Sequence, residues 1–128
     1  MPKIAREGDM THNLSNRAVQ LANELLKRQR KFRRTPAGVN QRAVEKAIIS
    51  YMDLCKPLGT AWRDAGKPLG EIAKWCSANN WPPLNALAVN HKTHEPSEEY
   101  NGAGGFQLDE WCLDVRKCIA FAGYPKKV

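Results

Sequence analysis

Ile49-Ser50-Tyr51-Met52-Asp53-Leu54-Cys55, followed at a short interval by Lys67-Pro68-Leu69-Gly70-Glu71-Ile72, is the stretch on which the fold turns. Ser50 is a good N-cap for a short helix over residues 51–55, because its hydroxyl can accept from a backbone N–H that the first turn leaves unpaired. Lys56-Pro57-Leu58-Gly59 closes that helix, and a loop through Trp62 and Asp64 leads to Gly66. From Lys67 to Ser77, Leu69, Ile72, Ala73 and Cys76 recur at helical spacing, and Ala78-Asn79-Asn80 reads as a helix stop. Two helices joined by this turn and loop form a helix-turn-helix pattern.

Upstream, Ala18, Leu21, Ala22, Leu25 and Leu26 predict a first helix from Asn16 to about Lys31, with Ser15 or Asn13 as its N-cap. Thr35-Pro36-Ala37-Gly38 breaks it, since proline disfavours helical backbone in the residue before it. A second helix begins near Asn40, carries Val44, Ala47, Ile48 and Tyr51 on one side, and ends near Ile49. Downstream, Trp81-Pro82-Pro83 imposes extended backbone, and Leu84 to Asn90 reads as a short strand. Residues 91–105 form a polar loop that ends in Gly102-Ala103-Gly104-Gly105 and leaves room for a second strand around Glu99-Tyr100. Phe106 to Ala122 is a last helix, with Leu108, Trp111, Cys112, Val115, Cys118 and Ile119 on its apolar side. The fold class is therefore mostly α with a small β element: a helical N-terminal part, a helix-turn-helix with a short wing, and a C-terminal helix. Residues 1–12 show no periodicity and read as a lead-in. Residues 13–128 form one domain, divided into a basic helical part, 13–43, and a winged-helix-like core, 44–128.

These residues resemble a known family over about residues 44–121. Ile49 to Cys55 is similar to the first DNA-binding helix of alkylguanine-DNA alkyltransferases and alkyltransferase-like proteins. Lys67-Pro68-Leu69-Gly70 resembles the start of their recognition helix, Leu87-Ala88-Val89 the strand after their reactive cysteine, and Tyr100 to Gly105 the close of their wing. The resemblance implies a winged-helix fold and DNA binding. It does not carry the family's repair chemistry, in which a Pro-Cys-His-Arg cysteine accepts the alkyl group as a thiolate. The acceptor position here is Leu84 or Asn85, and the activating histidine is Asn85 or Ala86. The expectation is a protein that is not an enzyme. Lys67 stands where the family has an arginine that fills the stack behind a flipped base, and lysine lacks the planar face for that role.

Charge points to the partner. The chain has 128 residues, 20 lysines and arginines against 13 acids, and a net charge of +7. Residues 1–45 hold ten basic and four acidic side chains, and residues 46–128 hold ten and nine. Lys27, Arg28, Arg30, Lys31, Arg33 and Arg34 form one dense cluster. Such a run either binds phosphates by displacing condensed counterions or forms a solvated helix end that suits the negative end of the dipole. Lys67 and Lys74 on the recognition helix are further candidate phosphate contacts, opposed by Glu71, and the wing carries Glu95, Glu98 and Glu99 with Lys92. The leading expectation is a nucleic-acid-binding protein, DNA before RNA, that contacts phosphates through its basic N-terminal helix and its helix-turn-helix core. The alternative is a protein-interaction module, a small inhibitor or adaptor of the kind mobile elements encode. The acidic wing and Trp81-Pro82-Pro83 motivate that reading.

The remaining chemistry is spare. His91 and His94 with Glu95 lack the second ligand pair of a structural zinc site, so no metal and no cofactor are expected. Gly102 to Gly105 is not followed by the Lys-Ser/Thr of a phosphate-binding loop. Cys55, Cys76, Cys112 and Cys118 fall in apolar helix-like patterns and read as reduced core thiols. Trp75 and Trp111 are expected in the core, and Trp62 and Trp81, in the loops flanking the recognition helix, are candidate base or partner contacts. With 42% hydrophobic residues a core is feasible, and no run reaches a membrane span or a signal sequence. A soluble cytoplasmic protein is the expectation.

Overall fold

A computed structural model describes residues 14–96 and 108–128, with the side chains of Trp62, Leu108 and Asp109 outside it. The lead-in, Asn13, Glu98, Glu99, the strand around Tyr100, the glycine run 102–105 and the start of the last helix at Phe106 lie outside the described residues.

The chain is mostly helical with one small parallel sheet. Helix α1 runs Asn16–Phe32, α2 Gln41–Ala47, α3 Tyr51–Cys55, α4 Gly66–Ala78 and α5 Leu108–Ala120. Single 3-10 turns occupy Pro36–Gly38, Lys56–Leu58, Trp62–Asp64 and Leu84–Leu87. Strands β1 (Ile49–Ser50) and β2 (Ala88–Val89) pair in parallel, Ile49 opposite Ala88 and Ser50 opposite Val89.

Caps define the helix ends. Ser15 accepts from the Ala18 N–H at 3.2 Å, Asn40 from Ala43 at 2.9 Å, and Ser50 from Asp53 at 3.1 Å. Ser15 is itself tied to α4: its N–H and hydroxyl donate to the two carboxylate oxygens of Glu71 at 2.8 and 3.0 Å. The C-terminus of α4 is a Schellman motif. Asn80 takes a left-handed conformation (φ 59°), its N–H donates to the Ser77 carbonyl, and the Trp81 N–H donates to the Cys76 carbonyl.

Helix α1 is the centre of the molecule. Its apolar stripe, Ala18, Leu21, Ala22, Leu25 and Leu26, is wholly buried among Leu54, Ile72, Leu84, Leu87, Val115 and Ile119 from the other elements. Two polar side chains on α1 also close the ends of its neighbours. Arg28 donates from Nε to the Ala47 carbonyl at 2.6 Å and from Nη2 to the Lys46 and Ile48 carbonyls at 2.9 Å, satisfying the last turn of α2. Gln29, 3% exposed, donates its amide to the Cys118 and Phe121 carbonyls at 2.9 and 2.7 Å, doing the same for α5.

The expected strand over residues 84–90 is corrected. Leu84–Leu87 forms a 3-10 turn, closed by the Ala86 N–H on the Pro83 carbonyl, and only Ala88–Val89 is strand. All six residues 84–89 are buried, so the run lacks the in-out alternation of a half-exposed strand, and a continuous apolar run suits a buried turn equally well. Its partner β1 takes Ile49 from the expected end of α2, which stops at Ala47, together with Ser50, the expected cap of α3. Trp75 and Trp111 lie in the core, where the Trp111 indole donates to the Ala86 carbonyl at 2.9 Å. All four cysteines are free thiols, three of them buried and Cys112 partly so. No helix among the described residues is long and apolar enough to cross a membrane.

Candidate nucleic-acid interface

The buried stripe of α1 leaves Lys27, Arg30 and Lys31 on its exposed side. The helix ends at Phe32 because Thr35 precedes a proline and is held extended (φ −63°, ψ 156°), with Arg33 already extended. Arg33 and Arg34 are exposed on this exit, and the Arg34 N–H donates to the Ile119 carbonyl at the end of α5.

The six-residue cluster does not act as a unit. Arg28 is committed to the fold as a structural clamp, its guanidinium bonded to three carbonyls and 4.9 Å from the Phe32 ring centroid. Burial pushes its pKa down, and nearby Asp53 pulls it back up. Lys27 is paired with Glu24 at 3.0 Å, and the Lys31 ammonium lies 5.4 Å from the Phe32 centroid. Arg30, Arg33 and Arg34 remain exposed.

Arg30 and Arg33 adjoin the C-terminal tail. Arg30 donates to the Lys126 carbonyl at 2.5 Å, the Tyr124 hydroxyl donates to the Pro82 carbonyl, and the Val128 N–H donates to Asn23 Oδ1 at 2.7 Å. The tail therefore runs back along α1 and places Lys126 and Lys127, both exposed, beside the arginines. Two hollows flank this junction. One of about 300 Å³ is lined by Arg30, Arg33, Gln29, Phe121, Tyr124 and neighbours. The other, about 470 Å³ and largely apolar, is lined by Pro36, Val39, Pro82, Ala120 and Phe121, with Arg116 and Lys117. Neither is lined by a carboxylate. Arg116 is fixed by a 3.0 Å bond to the Val39 carbonyl.

Two further hollows mix both signs. The cleft holding Lys67 is lined by Arg17 and Arg63 together with Asp64 and Glu71, and Arg17 lies 3.8 Å from Asp64. The hollow beside Lys27, Arg28 and Lys31 also contains Glu24 and Asp53. Lys67 shares its cleft with Ser15, at the opposite end of α1 from the arginines, roughly 20 Å away at 1.5 Å rise per residue. Lys74 is exposed two turns further along α4. The structure thus does not join Lys67 to the cluster 27–34, and it adds Lys126 and Lys127, whose proximity no local pattern announces.

The tryptophan candidates change too. The side chain of Trp62 lies outside the described residues. Trp81 is partly buried: it meets Trp75 edge-on at 5.0 Å and Tyr124 at 5.8 Å and packs on the core. The Schellman motif causes this, because it carries the residue after the left-handed position back onto the last turns of the helix. Leu84 and Asn85, aligned with the alkyl-acceptor position, are 0% and 4% exposed. No group of three metal-ligating side chains occurs among the described residues. Comparison with protein-family models, with curated proteins and with solved structures finds no match to this chain.

Proposed function

We propose that this chain is a non-enzymatic nucleic-acid-binding protein whose main contact surface is the junction of the α1 C-terminus with the C-terminal tail. One observation carries the reading: Arg30 and Arg33 line one hollow and Arg116 and Lys117 the adjoining one, with no carboxylate of the described residues in either and the exposed Lys126 on the tail that Arg30 holds, while the hollows around Lys67 and beside Lys27 mix both signs. A cluster of unneutralised cations favours a partner that presents closely spaced negative charge and releases counterions on binding. The order α3, turn, α4, β2 supports a winged-helix-like core of the alkyltransferase-like kind, used here as the scaffold that positions α1. Lys67 and Lys74 are then secondary contacts, because the Lys67 cleft carries two carboxylates of its own.

The rival reading as a protein-interaction module keeps the acidic wing and Trp81-Pro82-Pro83 as its motives, although Trp81 gives part of its ring to Trp75 and Tyr124. The test is a titration of labelled DNA against the full chain between 50 and 200 mM salt. Affinity should fall steeply, with a log–log slope of about −0.9 for each duplex phosphate neutralised. Absent or salt-insensitive binding overturns the proposal.

A further inference from the structure

We infer that the nucleic acid taken at this face is single-stranded, with an unpaired base seated against Phe121 and its flanking phosphates held by the cations on either side. The inference deepens the proposed function and rests on it. Phe121 lines both hollows, with Arg30 and Arg33 in one and Arg116 and Lys117 in the other. The larger hollow, about 470 Å³ and open to solvent, has an apolar lining from Pro36, Val39, Pro82, Ala120 and Phe121, against which a planar ring can lie. A duplex offers nothing to fill it, because its bases are stacked and paired inside a shell of phosphates. A single strand offers both parts at once: a planar apolar face for the apolar lining and phosphates for the rim. Charge complementarity selects this occupant over an apolar peptide, since every ionisable side chain lining the two hollows, apart from the Tyr124 phenol, is an arginine or lysine.

The Phe121 ring is fixed before any ligand arrives. It meets Tyr124 edge-on at 4.7 Å, and its main chain is held by the Cys118 carbonyl on one side and the Gln29 amide on the other. Gly123 makes the arrangement possible: a Cβ there would come within 2.6 Å of Phe121 Cζ. A ring already in place loses little entropy when a base stacks on it.

The experiment measures fluorescence anisotropy of the full chain with four labelled probes of equal length: oligothymidylate, oligouridylate, a single-stranded abasic oligomer and a duplex. The wild type should bind at least one of the two base-bearing single strands about tenfold more tightly than the abasic oligomer and the duplex. Phe121→Leu, which keeps apolar bulk without the aromatic face, should remove that preference. Equal binding of abasic and base-bearing strands by the wild type overturns the inference while leaving phosphate binding intact, and this comparison needs no variant. A retained preference in a folded Phe121→Leu protein also overturns it. If none of the four probes binds, the inference and the proposed function fail together.

Discussion

The Arg30 guanidinium donates to the main-chain oxygen of Lys126, tying the exposed end of α1 to a tail 96 residues further along the chain. The basic surface is therefore assembled from two distant segments. Arg30→Gln, Arg33→Gln and the double change Lys126→Gln/Lys127→Gln should each weaken DNA binding and reduce the salt slope by roughly one per charge removed. Arg28→Gln should leave the slope unchanged, although it removes a charge from the middle of the same run. Anisotropy titrations at several salt concentrations check this, and an equal loss of slope from Arg28→Gln would return Arg28 to the interface.

Arg28 should matter to stability instead. Its three bonds satisfy carbonyls at the end of α2, which have no partner within that helix. Arg28→Met should destabilise the fold by about 1–3 kcal/mol, the lower part of that range being favoured by the partial exposure of the side chain. Arg28→Lys should recover only part of the loss, because an ammonium cannot reproduce the planar fork of donors. Urea unfolding midpoints of the three proteins give the comparison.

What the sequence made legible follows from the range of the forces involved. Helix α1, the Ser15 and Ser50 caps and the stop at Asn79-Asn80 were all readable, because caps and the 3.6-residue period act within a few neighbours. The helix over residues 66–78 was readable for the same reason. The roles of Arg28 and Gln29 were not, since they depend on where the ends of α2 and α5 arrive in space. Gln29 left a trace nonetheless: it lies three and four residues beyond Leu26 and Leu25 and so continues the buried stripe through a basic run. Strand β1 is too short to display a period of two, and residues 84–87 are apolar throughout, so neither could be told from helix or strand by pattern. Within the site, Arg30, Arg33 and Arg34 stood out as a cluster. Lys126 and Lys127 did not, because only the return of the tail along α1 makes them neighbours, and grouping Lys67 with the cluster followed from the helix-turn-helix analogy rather than from any contact.

The thiols of Cys76 and Cys118 make stability depend on pH. Burial raises Cys76 from 9.0 to about 11, against a bond from the Leu84 N–H that lowers it. Burial likewise raises Cys118 to about 12, opposed by the Tyr124 hydroxyl and reinforced by Cys76 and Asp114. The native state keeps both protons to higher pH than the unfolded chain, whose thiols titrate near 8.5. The stabilisation is thus complete below that pH and is lost as pH rises, through about 11 for Cys76 and about 12 for Cys118, at up to roughly 1.4 kcal/mol per pH unit for each thiol. Chemical unfolding at pH 8, 9 and 10 should show falling stability, and Cys76→Ala should flatten the dependence at the cost of a lower starting value. At pH 8 in native conditions, a thiol reagent should label Cys112 well before Cys76 or Cys118.

Ser15 and Glu71 should behave as one unit. The Ser15 hydroxyl accepts from Ala18 at the start of α1 while it and the Ser15 N–H donate to Glu71 on α4, so the capping bond and the tie between helices share one side chain. Ser15→Ala should cost about 1 kcal/mol, the usual effect of losing an N-cap. Glu71→Gln keeps one acceptor oxygen and should cost less. If the carboxylate orients the capping hydroxyl, the double variant should be less destabilised than the two single effects added together, with a coupling of at least about 0.5 kcal/mol. Additive losses would mean that Glu71 and the cap act independently. Ser15→Ala also tests the separation of the two ends of α1: it should not change the salt slope of DNA binding, because Ser15 lies roughly 20 Å from Arg30 along the helix axis.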